Sequence, residues 1–434
     1  MPGKKHDVVV LGAGIAGLTA ARQLALAGLR VQVVEAGNRV GGRICSRTVG
    51  SEVVELGAEF IHGKPPILWN LIEEAGLETC ELGGSDFCFQ DGILQEFGDD
   101  WGADFKWLEA LKHWDRQDCS FAEYLDIAQV PDASRKRLIG FVEGFNAADA
   151  HIIGVAALGR QQAVEDAIEG DRMFHVRGGY SQAPEFLARQ IERLGGSICL
   201  ETRAIAIQWK QGSVAVDCIR NGELETHRAA AAVIALPLGV LQSGALIISP
   251  LPEHAMRLLP QICVGHARRM VMLFRRNFWM DSVAPPVTKG LNELSFLHAS
   301  KELFPVWWTK FPEESSALVA WIAGPRADAI AGRGHQELER EAIRELAKIF
   351  AVDDAHLRDL LIQSVSHDWQ RDALALGSYS YLPAGALHVP DTLSQPIEST
   401  LFFAGEHTDT TGNWGTVHGA MASGQRAAQQ ILHP

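Results

Sequence analysis

Short apolar runs and one helical stretch alternate at the start of the chain. Residues 7–12 form an apolar run that ends in a glycine turn, and a second apolar run, Val31–Val34, ends at Glu35. Between these runs, Leu18–Leu29 has the composition of a helix. The pattern predicts a strand, a glycine turn, a helix and a second strand, which is the order of a βαβ unit.

The chain returns to this pattern later. Ala230–Ala235 and Leu401–Ala404 are apolar enough to be fully buried strands, and Val417–Leu432 closes the chain as an alanine-rich helix. These segments predict one sheet domain built from residues 1–63, 171–240 and 371–434.

Two excursions leave the sheet domain. Residues 64–170 carry mainly helical patterns, whereas residues 241–370 carry strand-like segments such as Met270–Phe274 and Ala317–Ile322. Strands of this kind suggest an antiparallel sheet with one exposed face. We therefore expect a second, discontinuous α+β domain formed from 64–170 and 241–370.

Composition narrows the class of protein. A chain of 434 residues is too long for one core, and two or three domains are expected. With 47% hydrophobic and 21% charged residues it should be globular. The formal charge of −14 disfavours nucleic-acid binding and suits cationic small molecules, although many globular proteins are acidic.

Cysteine usage and hydropathy indicate the compartment. The seven cysteines form no C-x-x-C pair, so neither a disulfide framework nor a metal site is expected. Met1–Asp7 is polar and leads straight into the first strand, which leaves no room for a signal peptide. The longest apolar stretch, Ala229–Ile248, is broken by Pro237 and is no membrane span. These features predict a soluble, cytoplasmic protein without membrane contact.

The glycine turn has the spacing of a dinucleotide site. Gly12 permits a tight turn, Gly14 lets the backbone approach a pyrophosphate, and Gly17 lets the helix pack closely on the strand. Glu35, about 20 residues on, can accept hydrogen bonds from a ribose and would repel the 2′-phosphate of NADP. A tight turn in an unrelated α/β protein is the alternative.

Two loops add candidate chemistry. Arg39 and Arg43 flank a glycine pair, and either could neutralise a pyrophosphate or form part of a solvated turn. His62 follows a Gly-Ala pair that would let a flat ring lie near the backbone. It could accept a proton, form a hydrogen-bonding wall or be an ordinary loop histidine.

Several motifs, taken in order, resemble those of the flavin-containing amine oxidases, the superfamily of monoamine, polyamine and L-amino-acid oxidases. Besides the βαβ unit, these motifs are residues 39–43 (RVGGR), 55–63 (ELGAEFIHG), 176–180 (VRGGY), 233–243 (VIALPLGVLQS), 402–406 (FFAGE) and 415–420 (GTVHGA). The resemblance implies a Rossmann-type FAD-binding domain with a discontinuous α+β substrate domain made of an antiparallel sheet plus helices.

The resemblance also implies FAD as the cofactor and assigns residues to it. The adenosine and pyrophosphate would lie on the first unit, Ile205 near the adenine, and the ring on the loop after Glu55. The cofactor-binding residues it implies are Gly12, Gly14, Ala16, Gly17, Glu35, Ala36, Arg43, Gly57, Ala58, Glu59, Phe60, Ile205, Gly405, Glu406, Thr416 and Val417.

Some positions depart from the family pattern. Ser378 stands where members with covalent flavin carry a cysteine, which implies non-covalent FAD. Arg269 stands where the family usually has a lysine bonded through water to the flavin, so efficient reaction with oxygen is in doubt. Tyr379 matches the first of two pocket tyrosines, whereas Thr416 takes the second place.

The matches to the family pattern, and the departures from it, imply a set of catalytic and pocket residues. Arg269, Tyr379 and His62 are the candidate catalytic residues. His62, Tyr379, Trp414 and Thr416 are the candidate pocket residues, and Trp307 or Trp308 could be pocket or core.

The resemblance implies oxidation of a primary amine or polyamine to an imine, which hydrolyses to an aldehyde, with oxygen or another acceptor taking the electrons. Two alternatives are a flavin desaturase or dehydrogenase for a non-amine substrate and a non-catalytic FAD-binding interaction protein. An amino-acid substrate stays open. The oligomeric state is also open, with a homodimer as one option.

Overall fold

The computed structural model describes residues 6–97, 100–281 and 291–434. Part of the N-terminal segment considered above, residues 1–5, lies outside the described residues. The strands, in chain order, are β1 (Val8–Leu11), β2 (Val31–Val34), β3 (Ser46–Val49), β4 (Glu52–Glu55), β5 (Ile61–His62), β6 (Thr79–Glu81), β7 (Ser85–Gln90), β8 (Ile93–Glu96), β9 (Met173–Val176), β10 (Ser197–Cys199), β11 (Thr202–Lys210), β12 (Ser213–Arg220), β13 (Glu223–Ala229), β14 (Ala231–Ile234), β15 (Ile247–Ser249), β16 (Cys263–Gly265), β17 (Ala267–Phe274), β18 (Leu294–His298), β19 (Val306–Trp308), β20 (Ala317–Ala323), β21 (Leu361–His367), β22 (Tyr379–Tyr381) and β23 (Leu401–Phe403).

The helices connect and cover these strands. In chain order they are α1 (Ile15–Leu26), α2 (Pro66–Ala75), α3 (Asp100–Glu109), α4 (Phe121–Ile127), α5 (Asp132–Asn146), α6 (Val155–Asp166), α7 (Gln182–Arg193), α8 (Leu238–Gln242), α9 (Glu253–Leu258), α10 (Pro325–Ala329), α11 (His335–Phe350), α12 (Asp354–Leu360), α13 (Val389–Leu393) and α14 (Val417–Leu432).

A parallel five-stranded sheet in the order β10-β2-β1-β14-β23 forms the first layer. Strands β1, β2 and β14 are buried along their whole length, as apolar and β-branched residues favour in a parallel sheet covered on both faces. Helices α1, α7 and α14 pack on one face, and a four-stranded sheet, β13-β12-β11-β15, packs on the other. The structure confirms the predicted α/β class and βαβ unit.

A seven-stranded sheet in the order β21-β17-β20-β19-β18-β7-β8 forms the second layer. Helix α11 covers one face through Leu338, Ile343 and Leu346, which pack on residues such as Met270. Because side chains alternate along a strand, Arg269 and Val271 point to the opposite face. That face turns toward the large cavity described below.

The two excursions meet in the second sheet, because β7 pairs with β18. The pattern of residues 64–170 predicts mainly helices and does not indicate β6, β7 and β8, which the structure forms there. Strand β15 lies in the second excursion yet pairs with β11. The domain boundaries given above stay a prediction.

Antiparallel pairing of β11, β12 and β13 places hairpin turns at residues 211–212 and 221–222. No helix in the described ranges combines the length and the apolar character needed to cross a bilayer. The seven cysteines, all within the described residues, are unpaired.

Candidate active site

A large cavity of about 1700 Å³ is lined by residues from both sheets. It extends from the glycine turn after β1 to Arg269 on β17 and to side chains of α5 and α6. Ligand pockets usually measure about 300–1,000 Å³. The cavity therefore has room for a dinucleotide together with a second, smaller molecule.

The glycine turn at one end of the cavity is built as the sequence predicts. Gly12 has a φ of +98°, and a Cβ there would lie 2.7 Å from the carbonyl oxygen of Ala235. A Cβ on Gly17 would lie 2.1 Å from the carbonyl oxygen of Gly12. A Cβ on Gly14, which lines the cavity, would meet nothing within 4 Å. Gly12 and Gly17 therefore hold the turn together, and Gly14 leaves open space for a ligand.

Glu35 fastens this turn. One carboxylate oxygen accepts the N–H of Ala13 at 2.7 Å and the other accepts the N–H of Gly37 at 2.7 Å. Each carboxylate oxygen can accept more than one hydrogen bond, so both remain able to accept a ribose hydroxyl. Glu35 and the adjacent Ala36 line the cavity.

Arg43 joins the first motif to the last. Its Nη1 lies 2.9 Å from Oε1 of Glu406 and 2.7 Å from the carbonyl oxygen of Ser378. Oε2 of Glu406 accepts the hydroxyl of Ser380 at 2.5 Å and the N–H of Gly415 at 3.1 Å. Burial opposes ionisation of Glu406, but Arg43, His407 and the Ser380 hydroxyl together outweigh it and lower the pKa of that carboxyl. Part of the Arg43 guanidinium is thus committed to a carboxylate, which the sequence did not predict.

The loop after β4 packs directly on this region. A Cβ on Gly57 would lie 1.8 Å from the carbonyl oxygen of Arg43, and the N–H of Ala58 donates to that oxygen at 3.0 Å. Position 57 therefore has no room for a side chain larger than that of glycine. Ala58, Glu59 and Phe60 line the cavity.

Arg269 lies buried in the cavity wall beside this loop. Its Nη1 lies 3.0 Å from Oε2 of Glu59 and donates to the carbonyl oxygen of Glu55 at 3.1 Å. The guanidinium carbon lies 5.2 Å from the ring centre of Trp308 and 5.7 Å from that of Trp321. Arginine can stack on aromatic faces in this way. The guanidinium is thus held by a carboxylate, a carbonyl group and two indoles.

A chain of charged groups continues from Glu59 toward the surface. Nε2 of His175 lies 3.2 Å from Oε1 of Glu59, and Nδ1 lies 3.9 Å from Glu313. Burial opposes ionisation of Glu59, but Arg269 and His175 outweigh it and bring the pKa to about 2. Burial likewise disfavours the charged imidazole, but Glu313 and Glu59 raise the pKa of His175. Glu59 is therefore a carboxylate at physiological pH.

His62, Phe145 and Tyr379 form an aromatic wall. The ring centres of His62 and Phe145 are 5.5 Å apart, and the Tyr379 hydroxyl donates to the carbonyl oxygen of Phe145 at 2.8 Å. Burial lowers the pKa of His62 to about 4, against a hydrogen bond to the backbone of Gly170. His62 is therefore uncharged at neutral pH.

Two predicted pocket residues also have structural roles. The Thr416 hydroxyl caps α14 by accepting the N–H of Gly419 at 3.0 Å, and it donates to Asn413 at 2.7 Å. The indole N–H of Trp414 donates to the carbonyl oxygen of Asp409 at 2.8 Å. Both residues line the cavity.

Most of the predicted site residues line this one cavity. They are Gly12, Gly14, Ala16, Glu35, Ala36, Arg43, Gly57, Ala58, Glu59, Phe60, His62, Arg269, Tyr379, Gly405, Glu406, Trp414, Thr416 and Val417. Their roles toward a cofactor or substrate remain predictions.

Gly17 and Ile205 lie outside the lining. Gly17 contacts the turn, as its predicted packing role requires. Ile205 is not among the lining residues, whereas its neighbour Ala204 is, and β11 has a register shift between Ala204 and Ala206; the contact of Ile205 with the adenine stays a prediction. Trp307 is in the core of the seven-stranded sheet, whereas Trp308 lines the cavity.

Trp321, His175 and Glu165 contribute to the site region but were not predicted. Trp321 is the direct cross-strand partner of Arg269, and His175 lies on β9, far from Glu59 in sequence. Strand pairing brings Trp321 and His175 to this region, and Glu165 reaches it from α6, so no local motif marks these three side chains.

The cavity fits a flavin dinucleotide. Its lining includes the open space at Gly14 and the Tyr180 hydroxyl, which is buried without a hydrogen-bond partner in the described residues. Polar groups buried in this way are ordinarily satisfied by a ligand or water. Among the described residues, no three metal-binding side chains come together.

Comparison with known proteins agrees with these features. Residues 15–432 match the sequence model of the family described as flavin-containing amine oxidoreductase. Polyamine oxidase 2 of Arabidopsis thaliana is 29% identical over 467 residues, covering 99% of this chain and 88% of that protein. Lysine-specific histone demethylase 1 homolog 2 of the same plant is 28% identical, and this chain spans 59% of its length.

Solved structures share the fold. Putrescine oxidase bound to putrescine superposes with a TM-score of 0.84 at 21% identity, covering 99% of this chain and 100% of that one. Cyclohexylamine oxidase from Brevibacterium oxydans IH-35A gives a TM-score of 0.81 at 22% identity, covering 99% of each chain.

Proposed function

Because the chain belongs to the flavin-containing amine oxidoreductase family, we propose that it oxidises an amine at the carbon next to nitrogen. The family assignment confirms the predicted flavin cofactor. One observation carries the proposal: the dinucleotide turn at Gly14 and the aromatic wall at Tyr379 open into the same cavity. A cofactor bound on the turn would share this space with a small organic molecule.

The bound flavin would supply a two-electron acceptor for the hydride that leaves the carbon beside the amine nitrogen. Atoms and charge balance in the overall reaction. An ammonium, R–CH2–NH3⁺, loses one proton and then a hydride to give the iminium R–CH=NH2⁺. Water converts the iminium to an aldehyde and ammonium. Oxygen or another acceptor takes up the two electrons.

The residues of this chain would hold the reactants and exclude water. Gly12, Gly14 and Glu35 would hold the adenosine end, as proposed from their spacing. Phe145 and Tyr379 offer an apolar surface to the substrate carbon, and the uncharged His62 does not repel an ammonium group. Orientation in a dry pocket is what a protein contributes to such chemistry.

Arg269 would place a fixed positive charge in the wall of the same cavity. Its pairing with Glu59 balances that charge, so a cationic amine can approach without a net repulsive partner. Arginine cannot lose its proton at physiological pH, so Arg269 would not act as a base. We assign it a positioning and electrostatic role.

The proposal is tested by incubating the holoenzyme in air with mono-, di- and polyamines and amino acids. From a primary amine we expect aldehyde and ammonia in equal amounts; a secondary nitrogen would release an amine instead of ammonia, and an amino acid would give a keto acid. Peroxide should accompany these products if oxygen is the acceptor. Aldehyde that forms only with an added dye would identify a dehydrogenase. A non-amine substrate that alone is oxidised, or no turnover with any compound, would instead support the desaturase or the non-catalytic alternative.

A further inference from the structure

Glu165 is a carboxylate in the cavity wall that forms no ion pair with any residue the structure describes. It lies near the C-terminal end of α6 and is partly buried. Its hydrogen bond comes from the side-chain amide of Gln161, at 3.2 Å. Within the described parts of the chain, no lysine, arginine or histidine forms an ion pair with it.

The nearby cations are engaged by other acids. Lys112 forms ion pairs with Asp166, the residue next to Glu165, and with Glu109 at 2.5 Å. Arg172, beyond the end of α6, pairs with Glu81 at 2.7 Å and with Glu169. Described cations thus form ion pairs with acidic residues close to Glu165, and none of them forms an ion pair with Glu165 itself.

An ionised carboxyl in such a position is costly. Burial raises the pKa of Glu165 to about 7, and the charge of Asp166 acts in the same direction against the bond from Gln161. Buried charges in proteins are normally paired, because removal from water without a partner is unfavourable. A positively charged group on a ligand would remove this penalty.

Glu165 also lies beside the aromatic wall. A Cβ on Gly170 would approach the Cβ of Glu165 to 2.9 Å, and the backbone of Gly170 hydrogen-bonds to His62. His62 in turn contacts Phe145, whose ring stacks on Phe141 at 5.6 Å. An apolar surface suited to a methylene chain therefore lies next to the segment that carries Glu165, in the lining of the same cavity.

The reacting nitrogen cannot be the cation that Glu165 requires. In the reaction proposed above, this nitrogen is neutral when the hydride leaves. A second ammonium on the same molecule keeps its charge throughout. We propose that Glu165 binds a second ammonium group of the substrate, so that the amine oxidised is a diamine or polyamine. This inference rests on the proposed amine oxidation.

The test compares α,ω-diamines with n-alkylamines of the same chain length on the holoenzyme. Anaerobic calorimetry would measure binding, and the decay of oxidised flavin absorbance would measure the reaction. The variant is Glu165→Gln, which keeps the shape and removes the charge. The control is Asp166→Asn, which removes the same charge one residue away, where Lys112 still has Glu109.

We expect Glu165→Gln to weaken diamine binding roughly 10- to 100-fold, as expected for a charge-assisted hydrogen bond, and to leave monoamine binding unchanged. Asp166→Asn should change neither. Equal losses for both amine classes, a matching loss in the control, or no wild-type preference for diamines would each overturn the inference. If diamines bind through Glu165 but no amine reduces the flavin, the subsite stands and the proposed function fails.

Discussion

Arg269 and Glu59 form a buried salt bridge in the cavity wall, with 3.0 Å between Nη1 and Oε2. Arg269 lies on β17, a strand of the seven-stranded sheet, whereas Glu59 lies in the loop between β4 and β5. The bridge therefore ties the loop that follows the first motifs to the seven-stranded sheet. Trp308 and Trp321 hold the guanidinium.

Removal of one partner of this bridge should destabilise the protein. Glu59→Gln leaves Arg269 buried without its carboxylate, and such changes typically cost about 3–5 kcal/mol. The double variant Glu59→Gln, Arg269→Met should recover a large part of that loss, because it removes the orphaned charge. Urea unfolding of the holoenzyme at a fixed flavin concentration measures both. A single variant that costs less than about 1 kcal/mol, with additive effects in the double variant, would contradict this account.

Glu165 should make stability depend on pH. Its pKa is about 7 in the folded protein, above the value of 4.5 for the free side chain, so the folded state binds more protons between these values. Stability should therefore fall as pH rises from about 4.5 to 7, by up to about 3 kcal/mol from this group.

Glu165→Gln should remove that contribution. Relative to the wild type, the variant should gain stability at pH 8 and little or none at pH 4.5, as followed by urea unfolding without amine. Asp166→Asn should show only a small part of this change, because the charge of Asp166 is the lesser of the two causes that raise the pKa of Glu165. A Glu165→Gln curve parallel to the wild-type curve across this range would contradict the structure.

The glycines of the turn should differ in what they disturb. Gly14→Ala places a methyl group in open space that the cofactor would occupy, so the protein should fold normally and lose flavin affinity. Gly17→Ala places a methyl group against the carbonyl oxygen of Gly12 and should destabilise the fold itself. Thermal unfolding without flavin and flavin binding by fluorescence separate the two effects. A Gly14→Ala variant with wild-type flavin affinity would refute the assignment of this turn to the cofactor.

The flavin should be released by acid. Ser378 stands where a cysteine would form the covalent link in related proteins, and its hydroxyl already accepts the N–H of Ala267 at 2.9 Å. A serine cannot form a thioether. After acid precipitation, the yellow colour should remain in the supernatant. A coloured pellet that resists washing would show a covalent link elsewhere.

The sequence predicts the parts of this fold that depend on local patterns. The apolar strand β1, the mostly apolar strand β2, the glycine turn between them and the helix of Val417–Leu432 follow from periodicity and turn chemistry. Strand β7 was missed because its residues, SDFCFQ, mix polar and aromatic side chains and gain burial only by pairing with β18.

The site is predictable where a motif carries it. Glu35 and Glu406 stand in motifs, whereas the meeting of Glu59 with Arg269 and His175 depends on pairing between distant strands. The bulge in β11 between Ala204 and Ala206 cannot be read from composition, so the sequence alone does not determine which side chain there faces the cavity. Among the described residues, Lys112 and Arg172 pair with acids other than Glu165, and only the three-dimensional structure shows this.

The most direct test of the central claim is a single-turnover experiment without oxygen. The holoenzyme is mixed with an amine, and loss of the oxidised flavin absorbance is measured together with aldehyde and ammonia. Oxidation at a primary amine predicts one aldehyde and one ammonia for each flavin reduced, and oxidation at a secondary nitrogen predicts one aldehyde and one released amine. If dithionite reduces the flavin but no mono-, di- or polyamine does, the protein is not an amine oxidoreductase of the kind proposed.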